Sequence, residues 1–265
     1  MNYFNDEEKI IYHFQCVDKR EVHLVDKTRD VISVFEAIYN ADNWKKWINN
    51  SAKENPPPDF FSNEYGLMME VMRVDDHAHY DENGVLVNPV NRRESILQKE
   101  IRQKILSHNP NADLTETDIY INALSGLPSN EDHNYRFYSD SFARVLKKHI
   151  KHIPLYRKNH PNKKLIFFVF DESTGYVTVD DENLVKRGPK ALESFTAEPL
   201  WYFLDSKFIN VFKNCDIDYF IWYTPYKIFH GTTMQPPKVC IYDLKNHLFD
   251  NIVTYPENLI ISAEA

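Results

Sequence analysis

The chain has 265 residues, 43% of them hydrophobic and 14% aromatic, which is enough for a sizeable core and excludes global disorder. The net charge of -8 argues against general affinity for nucleic acid, and Cys16, Cys215 and Cys240 form no Cys-x-x-Cys, so neither a disulfide framework nor a structural zinc site is indicated. The longest notable apolar run, Leu165 to Phe170, is far short of a membrane span, and the acidic start of the chain lacks a signal-peptide layout, so a soluble cytoplasmic protein without a membrane partner is expected.

Along the chain, Ile10, Tyr12, Phe14 and Cys16 alternate with Ile11, His13, Gln15 and Val17, a period of two that predicts a strand. Glu21 to Val25 would return beside it as an N-terminal hairpin over residues 9–25. Asp30 then precedes Val31, Val34, Phe35 and Ile38, the spacing of a helix face, with the helix running to about Ile48. Pro56, Pro57 and Pro58 force extended backbone, Asp59 to Phe61 reads as a short strand, and Gly66 to Val74 as a longer one. Asn83-Gly84 marks a hairpin turn with Val85 to Val87 returning. Ile96, Leu97, Ile101 and Ile105 predict a second helix. Residues 108–136 are polar and turn-rich and read as an insertion with one helix after Thr115.

Ser139 can cap a long amphipathic helix carrying Phe142, Val145, Leu146, Ile150 and Ile153. Leu165 to Phe170 is apolar on both faces, as a central strand covered on both sides would be. Residues 171–200 read as irregular, Asp205 as the cap of a helix with Phe208, Ile209 and Phe212, and Tyr219–Tyr223 and Val239–Tyr242 as strands. The expected fold class is α/β, bordering on α+β, with a central mixed sheet flanked by helices in one domain over 1–265. Its core would span about 30–171, with a C-terminal elaboration over 172–265.

Absent motifs narrow the chemistry. With only six glycines and no Gly-x-Gly-x-x-Gly, Gly-x-x-x-x-Gly-Lys or Gly-x-Ser-x-Gly, dinucleotide binding, P-loop hydrolysis and the nucleophile-elbow hydrolases are disfavoured. Ser141 to Phe170 contains eight Lys or Arg residues and no Asp or Glu. Arg144, Lys147, Lys148 and Lys151 point largely away from the apolar face of their helix. Such a face suits a phosphate-bearing partner, or is simply a solvated helix surface.

The carboxylates are more telling. Glu70 lies between Met68 and Met72 on one face of an apolar strand, a costly place for a charge unless something pairs with it. A metal ion shared with Asp59 would supply the compensation; an arginine or capping backbone amides would do so without one. Downstream, an extended strand would put Asp75, His77, His79 and Asp81 on one face, an arrangement able to bind a transition metal or simply to flank an exposed hairpin. Asp75 or Asp76 could instead support the Glu70 site. Asp171 and Glu172 end the buried strand, as part of the same cleft or as a strand-end turn.

A helix, then Pro58-Asp59, Glu70 in a strand, a hairpin, a basic helix and a buried strand together resemble the PD-(D/E)xK nuclease superfamily. The resemblance covers roughly Asp30 to Asp171 and implies an α-β-β-β-α-β, restriction-endonuclease-like core that works with Mg²⁺ or Mn²⁺. It implies that Asp59 and Glu70 are metal ligands, with the Val71 carbonyl beside them and Glu36 as the helix glutamate. The lysine expected two residues after the acid is replaced by Met72. Lys99 or Lys104 on the following helix could have taken over its catalytic place, Lys53 could reach back, or Arg73 could turn inward through a bulge. The function implied is a nuclease acting on DNA or RNA, with homodimerisation left open. The alternative is an inactive nuclease-like module, of mobile-element or defence origin, that binds nucleic acid or a protein.

Overall fold

A computed structural model describes residues 7–51, 58–110, 112, 133–185, 197–229 and 235–263. The first element is a helix, α1 (Glu7–Gln15), where alternation predicts a strand. Ile10, Ile11 and Phe14 are all fully buried, the i, i+1, i+4 set that only a helix puts on one side. Glu7 and Glu8 in the first turn favour its positive end. The expected N-terminal hairpin is therefore absent. Instead β1 (Val22–Leu24) pairs in parallel with a strand more than two hundred residues later.

Thr28 caps α2 (Arg29–Tyr39), accepting from the Val31 N–H at 3.2 Å. The helix stops well before Ile48 because Asn40 leaves helical geometry and caps α3 (Ala41–Trp44), accepting from the Asp42 and Asn43 N–H groups. Next come β2 (Ile48–Asn49), β3 (Phe60–Ser62) and β4 (Leu67–Val74), an antiparallel meander. The hairpin β5 (His79–Tyr80) and β6 (Leu86–Val87) forms at the expected turn, where Gly84 takes a φ of 74° that its missing Cβ allows. The helix α4 (Pro89–His108) follows. The expected helix after Thr115 falls outside the described residues.

The long helix α5 (Tyr135–Ile150) begins one turn earlier than expected, with Asn134 rather than Ser139 as its cap. After α6 (Ile153–Asn159) the chain enters β7 (Lys164–Asp171), which runs parallel to β4. Where residues 171–200 read as irregular, the described part of the stretch forms β8 (Tyr176–Thr178), α7 (Glu182–Val185) and β9 (Glu198–Pro199). The chain continues through α8 (Ser206–Phe212), β10 (Tyr219–Tyr223), β11 (Val239–Asp243) and β12 (Ile260–Ser262). A small sheet has the order β12-β8-β9.

The central sheet has seven strands in the order β1-β11-β10-β7-β4-β3-β2, and it is mixed, with helices on both faces. Residues beyond 172 thus build two of its strands and are more than an elaboration. Alternation along β4 and β7 separates two cores. Met68, Met72, Leu165, Phe167 and Val169 pack with α5, α6 and α8 on one face. Met69, Val71, Ile166, Phe168 and Phe170 pack with α1 and α2 on the other. Phe14 of α1 meets Phe35, Tyr39, Phe168 and Tyr223 edge-on, at centroid distances of 5.2 to 6.2 Å. Glu70 belongs to the α5 face.

Candidate functional site

The antiparallel register of β3 and β4 pairs Phe60 with Met69 and Phe61 with Met68. Carried one step further, that register sets Asp59 opposite Glu70. Directly opposed carboxylates repel unless one is protonated or a cation lies between them. Burial and the charge of Glu70 push the Asp59 carboxyl up to about 8, against the pull of the Val71 N–H, which donates to Asp59 Oδ2 at 2.8 Å. A smaller upward push comes from Glu7, at the start of α1.

Glu70 is 6% exposed, and its partner is neither an arginine nor a backbone amide. His149 Nδ1 of α5 lies 2.7 Å from Glu70 Oε1. Tyr156 of α6 is fully buried nearby, and its hydroxyl has no hydrogen-bond partner. It faces Glu70; burial, then the Glu70 charge and a long contact with the Glu70 carboxylate, and last the Asp59 charge raise its pKa far above the ordinary phenol range. A buried orphan hydroxyl beside two carboxylates has the donor chemistry of a site for a hard cation or its bound water.

The other expected ligands and cations lie elsewhere. Glu36 is half-buried on α2 and pairs with Lys19 at 2.7 Å, so it does not join Asp59 and Glu70. The helix glutamate whose charge reaches Asp59 is Glu7. Sequence reasoning missed it because a strand reading of residues 10–17 leaves no helix for it to begin. Lys99 and Lys104 are exposed on α4, and Lys53 is outside the described residues. Among the described residues no lysine hydrogen-bonds or ion-pairs with Asp59 or Glu70. Arg73 keeps regular alternation and forms a bidentate pair with Glu172, with contacts of 2.6 to 2.9 Å. Met72 is buried in the core under α5. On α5 itself, Lys147, Lys148 and Lys151 are exposed near His149 in sequence, and Arg144 reaches Ser141 Oγ at 3.2 Å.

The carboxylates past β4 behave differently from the one-face arrangement of Asp75, His77, His79 and Asp81. Asp75 accepts from the Ala78 N–H at 3.0 Å and from Asn88 at 2.9 Å, and Asp81 closes the hairpin turn through the Asn83 and Val85 N–H groups. His79 stacks on Phe137. The residues that converge are Asp76, His77 and, from just before α5, His133.

Asp171, one register step past Arg73↔Phe170 on β7, is the hub of a sealed polar network. It accepts from Tyr138 Oη at 2.5 Å, Trp222 Nε1 at 2.9 Å, and the Ser173 N–H and Oγ–H at 3.0 and 2.6 Å. Lys227 Nζ lies 3.4 Å from Asp171, donates to Ser173 Oγ and to the Thr174 carbonyl, and sits 4.3 Å from the Tyr138 ring centroid. Burial lowers the Lys227 pKa, and the charges of Asp171 and Asp76 oppose that shift. Asp171, Ser173 and Lys227 are all buried, so this network stabilises the strand end and presents no open face to a substrate.

No protein-family model, curated protein or solved structure matches this chain.

Proposed function

We propose that this protein is a divalent-metal-dependent phosphodiester hydrolase acting on nucleic acid, with a restriction-endonuclease-like core. The order of elements supports the reading: a helical layer, the antiparallel meander β2-β3-β4, the helix α5, and β7 parallel to β4. The observation that carries it is the Asp59–Glu70 pair, opposed across two strands with Asp59 pushed up to about 8. Such a pair is stable as two carboxylates only with a cation beside it.

Asp59 and Glu70 would hold Mg²⁺ or Mn²⁺ through hard oxygen donors, with Glu7 in the place expected of Glu36. The ion, when bound, would supply a water of lowered pKa and offset charge on the scissile phosphate. His149 contacts one Glu70 oxygen, so the other would serve the ion, and the Tyr156 hydroxyl would bond a water there. Lys147, Lys148 and Lys151, with Arg144 behind them, would track a phosphate backbone without reading sequence. The test is Mn²⁺-dependent cleavage of single- and double-stranded DNA and RNA. Asp59→Ala and Glu70→Ala should each abolish it, and cleavage at the wild-type level by the double variant would remove the assignment.

Met72 favours a second reading. It is buried where the family's lysine would stand, and His149 is the basic group on Glu70. A fold that has lost this cation would bind nucleic acid or a protein without turnover. Thermal stabilisation by Mn²⁺ that depends on Asp59 and Glu70 supports the enzyme; nucleic-acid binding with no metal response supports the binding module.

A further inference from the structure

We propose that Asp76, His77 and His133 form a second metal site, separate from the Asp59–Glu70 pair, that takes Zn²⁺ or a similar first-row divalent ion through two imidazoles and one carboxylate. His133 Nδ1 lies 3.2 and 3.1 Å from the two Asp76 oxygens, and His77 Nε2 lies 3.6 Å from Asp76 Oδ1. Two ligand atoms held about 2.0–2.1 Å from one tetrahedral zinc are about 3.3–3.4 Å apart. The observed separations bracket that edge, and the three ligand atoms all lie within 4.8 Å of one another. Two nitrogens and a carboxylate oxygen suit zinc far better than magnesium.

The surroundings are those of a ligating carboxylate. Asp76 is fully buried, and its Oδ2 is anchored by the Thr174 N–H at 3.1 Å and the Tyr176 hydroxyl at 2.7 Å. That fixes the carboxylate, with Oδ1 between His77 and His133 and Oδ2 also beside His133, the kind of outer-shell anchoring that orients a metal ligand. The charges agree. Lys227, the nearby buried cation, ion-pairs with Asp171 and acts on Asp76 through its charge alone, whereas the imidazoles lie in direct contact with Asp76. The two imidazole rings lie close enough to serve one ion, with centroids 4.6 Å apart.

His133 also adopts a φ of 52°, the one left-handed non-glycine residue among those described. Side chains other than glycine seldom adopt this conformation, and here it brings the imidazole to Asp76 immediately before α5 begins. The site joins the exit of β4 to the entry of α5, across 57 positions of chain. The two histidine side chains are 16% and 22% exposed, so the cluster is largely withdrawn from solvent. Glu70 and Val74 lie on the extended strand β4, about 13 Å apart, Asp76 follows two residues beyond its end, and neither Asp59 nor Glu70 belongs to the converging cluster.

The experiment is calorimetric titration of Zn²⁺ into chelator-stripped, tag-free protein, with Co²⁺ substitution read by its visible ligand-field spectrum. One equivalent should bind, in the presence of excess Mg²⁺. His133→Ala and His77→Ala should each weaken binding by more than about 100-fold, since even partners of ligands account for about 10–100-fold. Tyr176→Phe should weaken it by about tenfold. Asp59→Asn and Glu70→Gln should leave it unchanged, so loss of the proposed nuclease site and loss of this one are read separately. Circular dichroism identifies any variant that fails to fold; the partly exposed His133→Ala then decides. Absence of stoichiometric Zn²⁺ binding to the folded wild type would overturn the proposal, as would binding that survives in the His77→Ala/His133→Ala double variant.

Discussion

Asp59→Asn isolates the charge at the centre of the proposed site. Asparagine keeps an oxygen for the Val71 N–H and removes only the ionisable proton. A carboxyl whose folded-state pKa is raised contributes stability that is full below its unfolded value, near 3.8, and is lost as pH climbs through the folded value of about 8. The folded protein holds one proton more than the unfolded chain throughout that window, so wild-type stability should fall relative to the variant as pH rises. At about 1.36 kcal/mol per pH unit the gap would reach at most about 4 kcal/mol at pH 7, and relaxation around a coupled pair brings the expectation to about 1–3 kcal/mol. For a chain of this size that is several degrees in Tm, the variant being the more stable. Thermal melts with chelator from about pH 4 to about pH 9 should show the two proteins together at the acid end and diverging upward. Adding Mn²⁺ should raise the wild-type Tm by more than it raises that of the variant. A variant less stable than wild type at neutral pH, or a gap independent of pH, would refute the account of the pair.

Tyr156→Phe should be neutral or stabilise the metal-free protein by up to about 1 kcal/mol, since a buried hydroxyl without a partner is itself destabilising; it should also diminish the Mn²⁺ response. A loss of more than about 1 kcal/mol in a chemical denaturation series would mean that the hydroxyl is satisfied. Lys227→Met removes the cation against Asp171 and should destabilise by about 3–5 kcal/mol; an unchanged denaturation midpoint would show that the network does not depend on that charge. Lys148→Ala and Lys151→Ala should each lower the slope of log K against log salt for nucleic-acid binding by about one, and an unchanged slope would take the α5 face out of the interface.

What was legible depends on which forces act locally. The strand β4, the strand β7 with its apolar run Leu165 to Phe170, and the amphipathic α5 follow from the sequence pattern, because each buries a face that its own sequence defines. Glu70 stood out for the same reason, as a charge inside an apolar run. Its partner did not: His149 lies 79 positions away, and only the packing of α5 onto β4 brings the two together. The N-terminal helix was misread because Ile10 to Val17 satisfies both periods, and what decides for helix is a tertiary fact, that Ile10 and Ile11 are buried in the same layer. The strands β8, β9 and β12 are two or three residues long and form only through one another, so no local pattern announces them. His133 had no sequence signal at all. Its relevance arises from a left-handed turn at the mouth of α5.

The parallel pairing of β1 with β11 bears on how the chain comes to be folded. β1 lies at the sheet edge with β11 as its one neighbour, so it has no strand to join until Val239–Asp243 has been made. At typical synthesis rates of about 5–20 residues per second that interval is of the order of ten to forty seconds. The helix ahead of β1 waits with it in part: His13 of α1 meets the Tyr223 hydroxyl at 2.6 Å, and Phe14 packs on the same ring. Of the four rings around Phe14, those of Phe35, Tyr39 and Phe168 are made first and that of Tyr223 last, so α1, which carries Glu7, gains its final support only when β10 has emerged. The surroundings of Asp59 thus draw on the last third of the polypeptide as well as on the strands beside it.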